Sequence, residues 1–258
     1  MPMQQDAQIV TVAREAMATR FEVALHGGDP ARLRAAAEEA LDEITRLEGV
    51  FSLYQPTSEI AHLNDHAAHE TVPVSPEVFA LLQRCLALTK ETAGAFDITI
   101  APLMRCWQFI NNTGEVPGED EIEEARACIG THHVELDEPN QTVRFTREGV
   151  MLDLGSIAKG YALECAAALM TENEFGHFLI HGGTSTICAH GTQPDGMPWR
   201  IAIEHPEEGE PPLRIVELAD ESLSVSGIGG KSFVDAEGIE QGHVIDPRTG
   251  RPTQGARV

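Results

Sequence analysis

Val150-Met151-Leu152-Asp153-Leu154-Gly155-Ser156, running into Ile157-Ala158-Lys159-Gly160-Tyr161, is the stretch that decides the fold class. Its apolar first half predicts a strand over 150–154, and Gly155-Ser156 breaks it. Ile157, Tyr161, Cys165 and Leu169 then recur every fourth residue, which predicts a helix over 157–170. Upstream of this βα unit helical patterns dominate, and downstream short strands dominate. That segregation reads as α+β, with mixed or antiparallel sheets and flanking helices.

Working outward, residues 9–26 read as strand material broken at Met17-Ala18-Thr19. Asp29-Pro30 pairs an N-cap with a first-turn proline, and Leu33, Ala37, Leu41, Ile44, Leu47 and Phe51 predict an amphipathic helix behind it. Phe51 to Tyr54, then Ser58-Glu59-Ile60, reads as a helix end, a loop and a capped restart. Ser75-Pro76 opens a helix that Gly94 ends. Residues 120–129 predict a short helix stopped by Gly130, and 134–136 with 142–145 a hairpin. Beyond the deciding stretch, 177–189 reads as one strand interrupted at Gly182-Gly183. Further strands are expected at 199–204, 213–218, 223–226, 232–234 and 242–245, with loops at 111–119 and 191–198. No proline-rich linker divides the chain, so one compact domain over 1–258 is expected.

The same stretch carries the most informative chemistry. A helix N-terminus presents unpaired N–H groups and a partial positive charge, which suit a phosphate. Lys159, in the first turn, is placed to reach the same anion, and Asp153 to accept a hydrogen bond or order a cation. Established phosphate loops do not fit: Gly-x-Gly-x-x-Gly is absent, and Gly230-Lys231-Ser232 has Val225 where a Walker loop needs glycine. His181-Gly182-Gly183-Thr184 resembles an esterase oxyanion element, but no Gly-x-Ser-x-Gly elbow accompanies it. Asp246-Pro247-Arg248-Thr249-Gly250 is good turn chemistry, which leaves the preceding His243 unexplained. The remaining histidines, His132-His133 among them, show no ligand spacing specific enough to predict zinc.

Composition narrows the classes. The 258 residues carry a net charge of −23, which disfavours nucleic acid and anionic lipid as partners. No run approaches the roughly 18 apolar residues of a membrane span. The five cysteines are an odd number without any Cys-x-x-Cys, which fits free thiols in a reducing compartment. With no basic, apolar or lipobox signal at the start, a cytoplasmic location is expected.

Taken in order, the segments resemble the FAD:protein FMN transferases, the ApbE family. The matching pieces are Met17-Ala18-Thr19, Phe51 to Tyr54 with Ser58-Glu59-Ile60, Ala95-Phe96-Asp97 with Pro102-Leu103, Asp153 to Tyr161, Gly182-Gly183, Ser226-Gly227, and His243 with the Asp246 turn. The resemblance implies an enzyme that takes FAD and Mg²⁺, moves FMN to a Thr or Ser hydroxyl of a partner flavoprotein, and releases AMP. It further implies FAD contacts from Met17, Tyr54, Ala95, Phe96, Asp97, Asp153, Lys159 and Ile245. It places a magnesium contact at the Ser156 carbonyl and His243 at the reacting centre.

Two departures accompany the resemblance. Ile180-His181 and Thr184 flank the Gly-Gly pair where family members carry other polar residues. The family continues past the Asp246 turn into a strand and helix, with an Asp and a Thr completing the metal site, whereas this sequence stops at Val258. The expectation is a C-terminally short domain with weakly held Mg²⁺. Its alternative reading is an FAD-binding protein that does not transfer, or that hydrolyses FAD to FMN and AMP.

Overall fold

The computed structural model describes residues 8–110, 114–205, 209–226 and 232–253. In chain order the elements are β1 Val10–Ala16, β2 Thr19–Leu25, α1 Pro30–Phe51, α2 Glu59–His66, β3 Val72–Pro73, α3 Pro76–Glu91, α4 Ala101–Cys106 and α5 Glu119–Arg126. There follow a single 3₁₀ turn at Thr131–His133, β4 Val134–Asp137, β5 Thr142–Phe145, α6 Ala158–Glu172, β6 Phe178–Gly182 and β7 Thr186–His190. The chain closes with β8 Trp199–Ile203, β9 Arg214–Leu218, β10 Glu221–Ser224, β11 Ser232–Val234, β12 Glu240–Gly242, β13 Ile245–Asp246 and β14 Arg251–Pro252. This is the expected α+β mixture with antiparallel sheets. It divides into two compact units, each made of two stretches: Met1–Glu48 with Ile157–Ser226, and Gly49–Ser156 with Gly227–Val258.

The first unit is built on a five-stranded sheet of order β1-β2-β6-β7-β10. Alternation dictates its buried face: Phe21, Val23 and Leu25 of β2 stand opposite Gly182, Ile180 and Phe178 of β6, and those large side chains are fully buried. Each contributes about 1.5–3 kcal/mol relative to exposure. Helix α6 packs on β6 and β7. It buries Ala158, Ala162, Leu163, Ala166 and Met170, small residues that let the helix approach the sheet closely. The β8–β9 ribbon joins through a separate cluster of Ile187, Ala189, Trp199 and Leu218.

The second unit gathers α2 to α5, a three-stranded sheet of order β3-β5-β4, and the ribbons β11–β12 and β13–β14. Leu103, Trp107, Phe109, Ile122 and Ile245 form one of its apolar clusters, and the Trp107 ring N–H donates to the Gly250 carbonyl at 2.8 Å.

Local chemistry explains most boundaries. The Asp29 side chain accepts from the N–H groups of Ala31 and Arg32, both at 3.1 Å. Ser58 and Ser75 cap α2 and α3 in the same way. Gly94, at φ +80, ends α3 with its N–H on the Thr89 carbonyl. The α5 helix ends at Arg126, one turn earlier than the sequence suggests.

Three sequence expectations need correction. The strand expected over 242–245 is broken at His243-Val244, which separate β12 from β13, and the two belong to different ribbons. Residues 150–154 belong to no strand or sheet. Their backbone groups are bonded to other partners: the Asn64 side chain accepts from Leu152 N–H at 2.7 Å and donates to its carbonyl at 3.0 Å. The Asp153 N–H donates to the Ile98 carbonyl at 2.7 Å. Residues 177–189 are not one bent strand but the hairpin β6–β7, paired from Phe178 with His190 to Gly182 with Thr186. Gly183, at φ +64, supplies the left-handed turn residue that reverses the chain. The Ser226-Gly227 and Gly229-Gly230 readings fall wholly or partly outside the described residues, as do part of the 111–119 loop and the end of the chain after Thr253.

Candidate functional site

The sequence-expected residues fall into two groups, one in each unit. In the first unit, Met17 and Ala18 form the two-residue turn of β1–β2 with φ of +48 and +57. Both central positions of such a hairpin turn need the left-handed region, which usually recruits Asn-Gly. A methionine there bears a backbone cost and holds a long apolar side chain at the tip. Beside it runs the β6–β7 turn: the Gly183 N–H donates to the Arg20 carbonyl at 2.9 Å. A Cβ on Gly183 would lie 2.5 Å from the Thr19 hydroxyl, so only glycine fits this approach. Lys159 reaches the same turn, donating from Nζ to the Ser185 hydroxyl at 3.2 Å. The N-terminus of α6 has no side-chain cap, which leaves its first N–H groups available to an anion. His181, expected only to flank the glycines, is tied back by Nδ1 to the Gly183 carbonyl at 3.0 Å.

In the second unit, Asp153 anchors the Gly155-Ser156 turn by accepting the Gly155 N–H at 2.7 Å. Its carboxylate also acts on Tyr54. Partial burial first, and then the Asp153 charge, push the Tyr54 hydroxyl above the ordinary tyrosine range. Tyr54 keeps 59% of its surface exposed, so an aromatic face stands open near that carboxylate.

The Asp153 N–H bond to Ile98 links this turn to the loop holding Ala95, Phe96 and Asp97. Ala95 is exposed and Phe96 partly buried. Asp97 is buried and accepts both the Thr99 N–H at 2.8 Å and the Thr99 hydroxyl at 2.6 Å. The Thr99 oxygen in turn accepts the Gly130 N–H at 2.7 Å. Gly94 lies in van der Waals range of Arg248, so this loop also meets the Asp246 turn. Within that turn Arg248 donates to Asp246 from its backbone, Nε and Nη2 at 2.8–2.9 Å. These hydrogen bonds from the guanidinium side chain, above all, hold the Asp246 carboxyl below its ordinary acidity range. His243 is partly buried between β12 and β13, and Ile245 lies in the apolar cluster with Trp107.

The structure thus brings Tyr54, the 94–98 loop, Asp153 and the Asp246 turn together in one unit, and the Met17 turn, Gly183, Ser185 and Lys159 in the other. The boundary between the units falls between Ser156 and Ile157, inside the deciding stretch. Sequence reasoning missed Asn64 and Thr99, whose side chains fix Leu152 and Asp97. The only signal for Asn64 was a polar residue on a helix beside the buried Leu63. A cavity of ≈ 190 Å³ lined from α6, β7 and β10, with Phe178, Cys188, His190 and Asp220 on its wall, contains none of the expected residues.

Comparison with known proteins adds independent weight. A relative from Vibrio cholerae, FAD:protein FMN transferase, is 29% identical over 227 residues, covering 87% of this chain and 66% of that protein. The crystal structure of the ApbE protein from Thermotoga maritima superposes with a TM-score of 0.87 at 29% identity, over 96% of this chain and 79% of that one. The apo flavinyl transferase ApbE of Pseudomonas stutzeri gives 0.84 at 29% identity, over 98% and 78%. The chain therefore spans about two thirds to four fifths of the proteins it matches. The profile of the ApbE family aligns with residues 17–258, from the Met17 turn through the Asp246 turn, and the chain belongs to that family.

Proposed function

We propose that the chain transfers the FMN half of FAD to a threonine or serine hydroxyl of a partner protein, releasing AMP. The observation that carries this reading is the family match across residues 17–258, which takes in every expected site residue. The local chemistry supports it. The FAD pyrophosphate is an anion in a protein of net charge −23, so it needs a concentrated source of N–H groups and cations. The uncapped start of α6 and Lys159 supply both. Lys159 exchanges its neutral Ser185 partner for a phosphate oxygen, a stronger charge-assisted bond. The exposed face of Tyr54 offers the isoalloxazine ring a flat apolar contact.

The donors at the Gly155-Ser156 turn are oxygens, the Ser156 carbonyl and the Asp153 carboxylate. That is the hard set Mg²⁺ takes alongside phosphate oxygens and water. Ser156 would hold the ion through its carbonyl. Bound there, Mg²⁺ supplies neutralisation of the pyrophosphate charge. In the transfer, the acceptor hydroxyl oxygen bonds to the FMN phosphorus. The bond from that phosphorus to the bridging oxygen breaks, and AMP leaves with that oxygen. The hydroxyl proton passes to His243. Phosphoryl transfer needs positioning more than covalent chemistry, so the task of Asp153 and Asp97 is to keep the turn and its neighbouring loop in place.

The test uses the full chain with FAD, Mg²⁺ and an acceptor fragment bearing a threonine target. AMP released in step with covalent flavin on the fragment is the expected result. FAD bound with neither product formed overturns the transferase reading.

A further inference from the structure

We infer that His62 and His66, on the exposed face of α2, form a surface site for an imidazole-seeking transition dication of the Ni²⁺, Cu²⁺ or Zn²⁺ class. In the bare sequence His62-Leu63-Asn64-Asp65-His66 has no obvious meaning. Once it is helical, positions four apart share one face. The two rings stand with centroids 4.2 Å apart, tilted by 36°. Both side chains are exposed while Leu63 between them is buried, so the pair projects away from the core.

The His66 ring is already prepared as a ligand. Its Nδ1 lies 2.9 Å from the His62 carbonyl. A carbonyl only accepts, so Nδ1 carries the proton and the neutral ring keeps its lone pair on Nε2. Metal-binding histidines are oriented in this way, with the second nitrogen donating to a backbone oxygen. Two imidazoles four residues apart on a helix are the minimal chelate used by helical zinc sites. Water completes the coordination, because both histidines are exposed. The strongly acidic chain raises the local concentration of any dication. Imidazole selects the later first-row metals over Mg²⁺, so this site is chemically distinct from the oxygen donors at Ser156.

The His132-His133 pair supplies an internal control. Its rings are also close, with centroids 4.0 Å apart. They are adjacent in sequence on a 3₁₀ turn rather than four apart on a helix, and His133 Nδ1 is within 3.3 Å of the Thr146 hydroxyl.

Calorimetric titration with Ni²⁺ and Zn²⁺, in millimolar Mg²⁺, tests the site on the full chain. The expected result is one equivalent of Ni²⁺ per chain that Mg²⁺ does not displace, with Ni²⁺ tighter than Zn²⁺. His62→Gln and His66→Gln each weaken binding at least about tenfold. His132→Gln leaves it unchanged, and far-ultraviolet circular dichroism shows all variants folded. Ni²⁺ affinity unaltered in both His62→Gln and His66→Gln, loss in His132→Gln instead, or displacement by Mg²⁺ would each overturn the assignment.

Discussion

Met17 and Asp153 hold their neighbours in place by opposite means. Around Met17 the geometry is written in backbone angles: Met17 and Ala18 at positive φ, Gly183 at +64, and two turns brought side by side because Gly183 lacks a Cβ. Around Asp153 the chain forms no strand, and a turn follows at 155–157. There the geometry comes from side chains reaching across sequence, Asn64 to Leu152 and Thr99 between Asp97 and Gly130. The first arrangement resists change at the turn itself. The second depends on side chains that bond to backbone far away in the sequence.

Removing Asn64 is the sharpest way to break the second arrangement. Asn64→Leu leaves the N–H and C=O of the fully buried Leu152 without partners. At roughly 1–3 kcal/mol per orphaned buried group, unfolding in urea is expected to show a loss of about 2–6 kcal/mol. FAD affinity falls with it, because Asp153 is the next residue. Unchanged stability would mean that residues 150–154 hold themselves without the clamp.

Lys159→Met probes the first arrangement at its functional end. The hydrogen bond from Lys159 to the Ser185 hydroxyl is long, at 3.2 Å, and made to a neutral partner, so its loss is expected to move the urea midpoint little. The rate of FMN transfer falls by on the order of 10², as when one electrostatic donor is removed from a phosphoryl or acyl transfer site. A large stability loss with unchanged transfer would make Lys159 a structural residue instead.

Gly183→Ala acts on the backbone directly. Positive φ and a contact at 2.5 Å with Thr19 together cost about 1–3 kcal/mol. Thr19→Ser does not restore it, since the colliding hydroxyl remains, whereas Thr19→Ala recovers part. Full tolerance of Gly183→Ala would remove the backbone argument for this turn.

The smallest effect is expected at Arg248→Gln. The carboxyl of Asp246 is held below its ordinary value of 3.8 chiefly by hydrogen bonds from the Arg248 side chain. A depressed folded value contributes stability above that ordinary value and loses it as pH falls through the folded one. The melting-temperature gap between wild type and Arg248→Gln is therefore full near neutrality and closes in acid. A gap that widens on acidification would contradict the sign.

The same contrast explains what was legible in the sequence. Signals confined to a few consecutive residues were readable: Asp29-Pro30, Ser75-Pro76 and Gly94 mark helix ends because each satisfies or reverses the backbone next to it. The β4–β5 hairpin was readable for the same reason. Residues 150–154 form no strand although their apolar run suggests one, because such a run reports burial and their backbone bonds go to Asn64 and Ile98 rather than to a neighbouring strand. The β6–β7 hairpin was misread because Gly182-Gly183 permits both a bend and a reversal, and pairing with β2 decides between them. The Met17 turn was placed correctly, but its left-handed angles carry no mark in a Met-Ala pair. The ordered motif series was readable because it relies on residue identity at spaced positions. The Asn64 clamp and the Thr99 link to Gly130 were not, since a hydrogen bond spanning 88 or 31 residues leaves no local pattern.

The most direct test of the central claim is a crystal structure of the full chain with FAD and Mg²⁺. Pyrophosphate density is expected against the first N–H groups of α6, with Lys159 moved from the Ser185 hydroxyl onto a phosphate oxygen. FAD bound with its pyrophosphate elsewhere, and Lys159 still on Ser185, would contradict it.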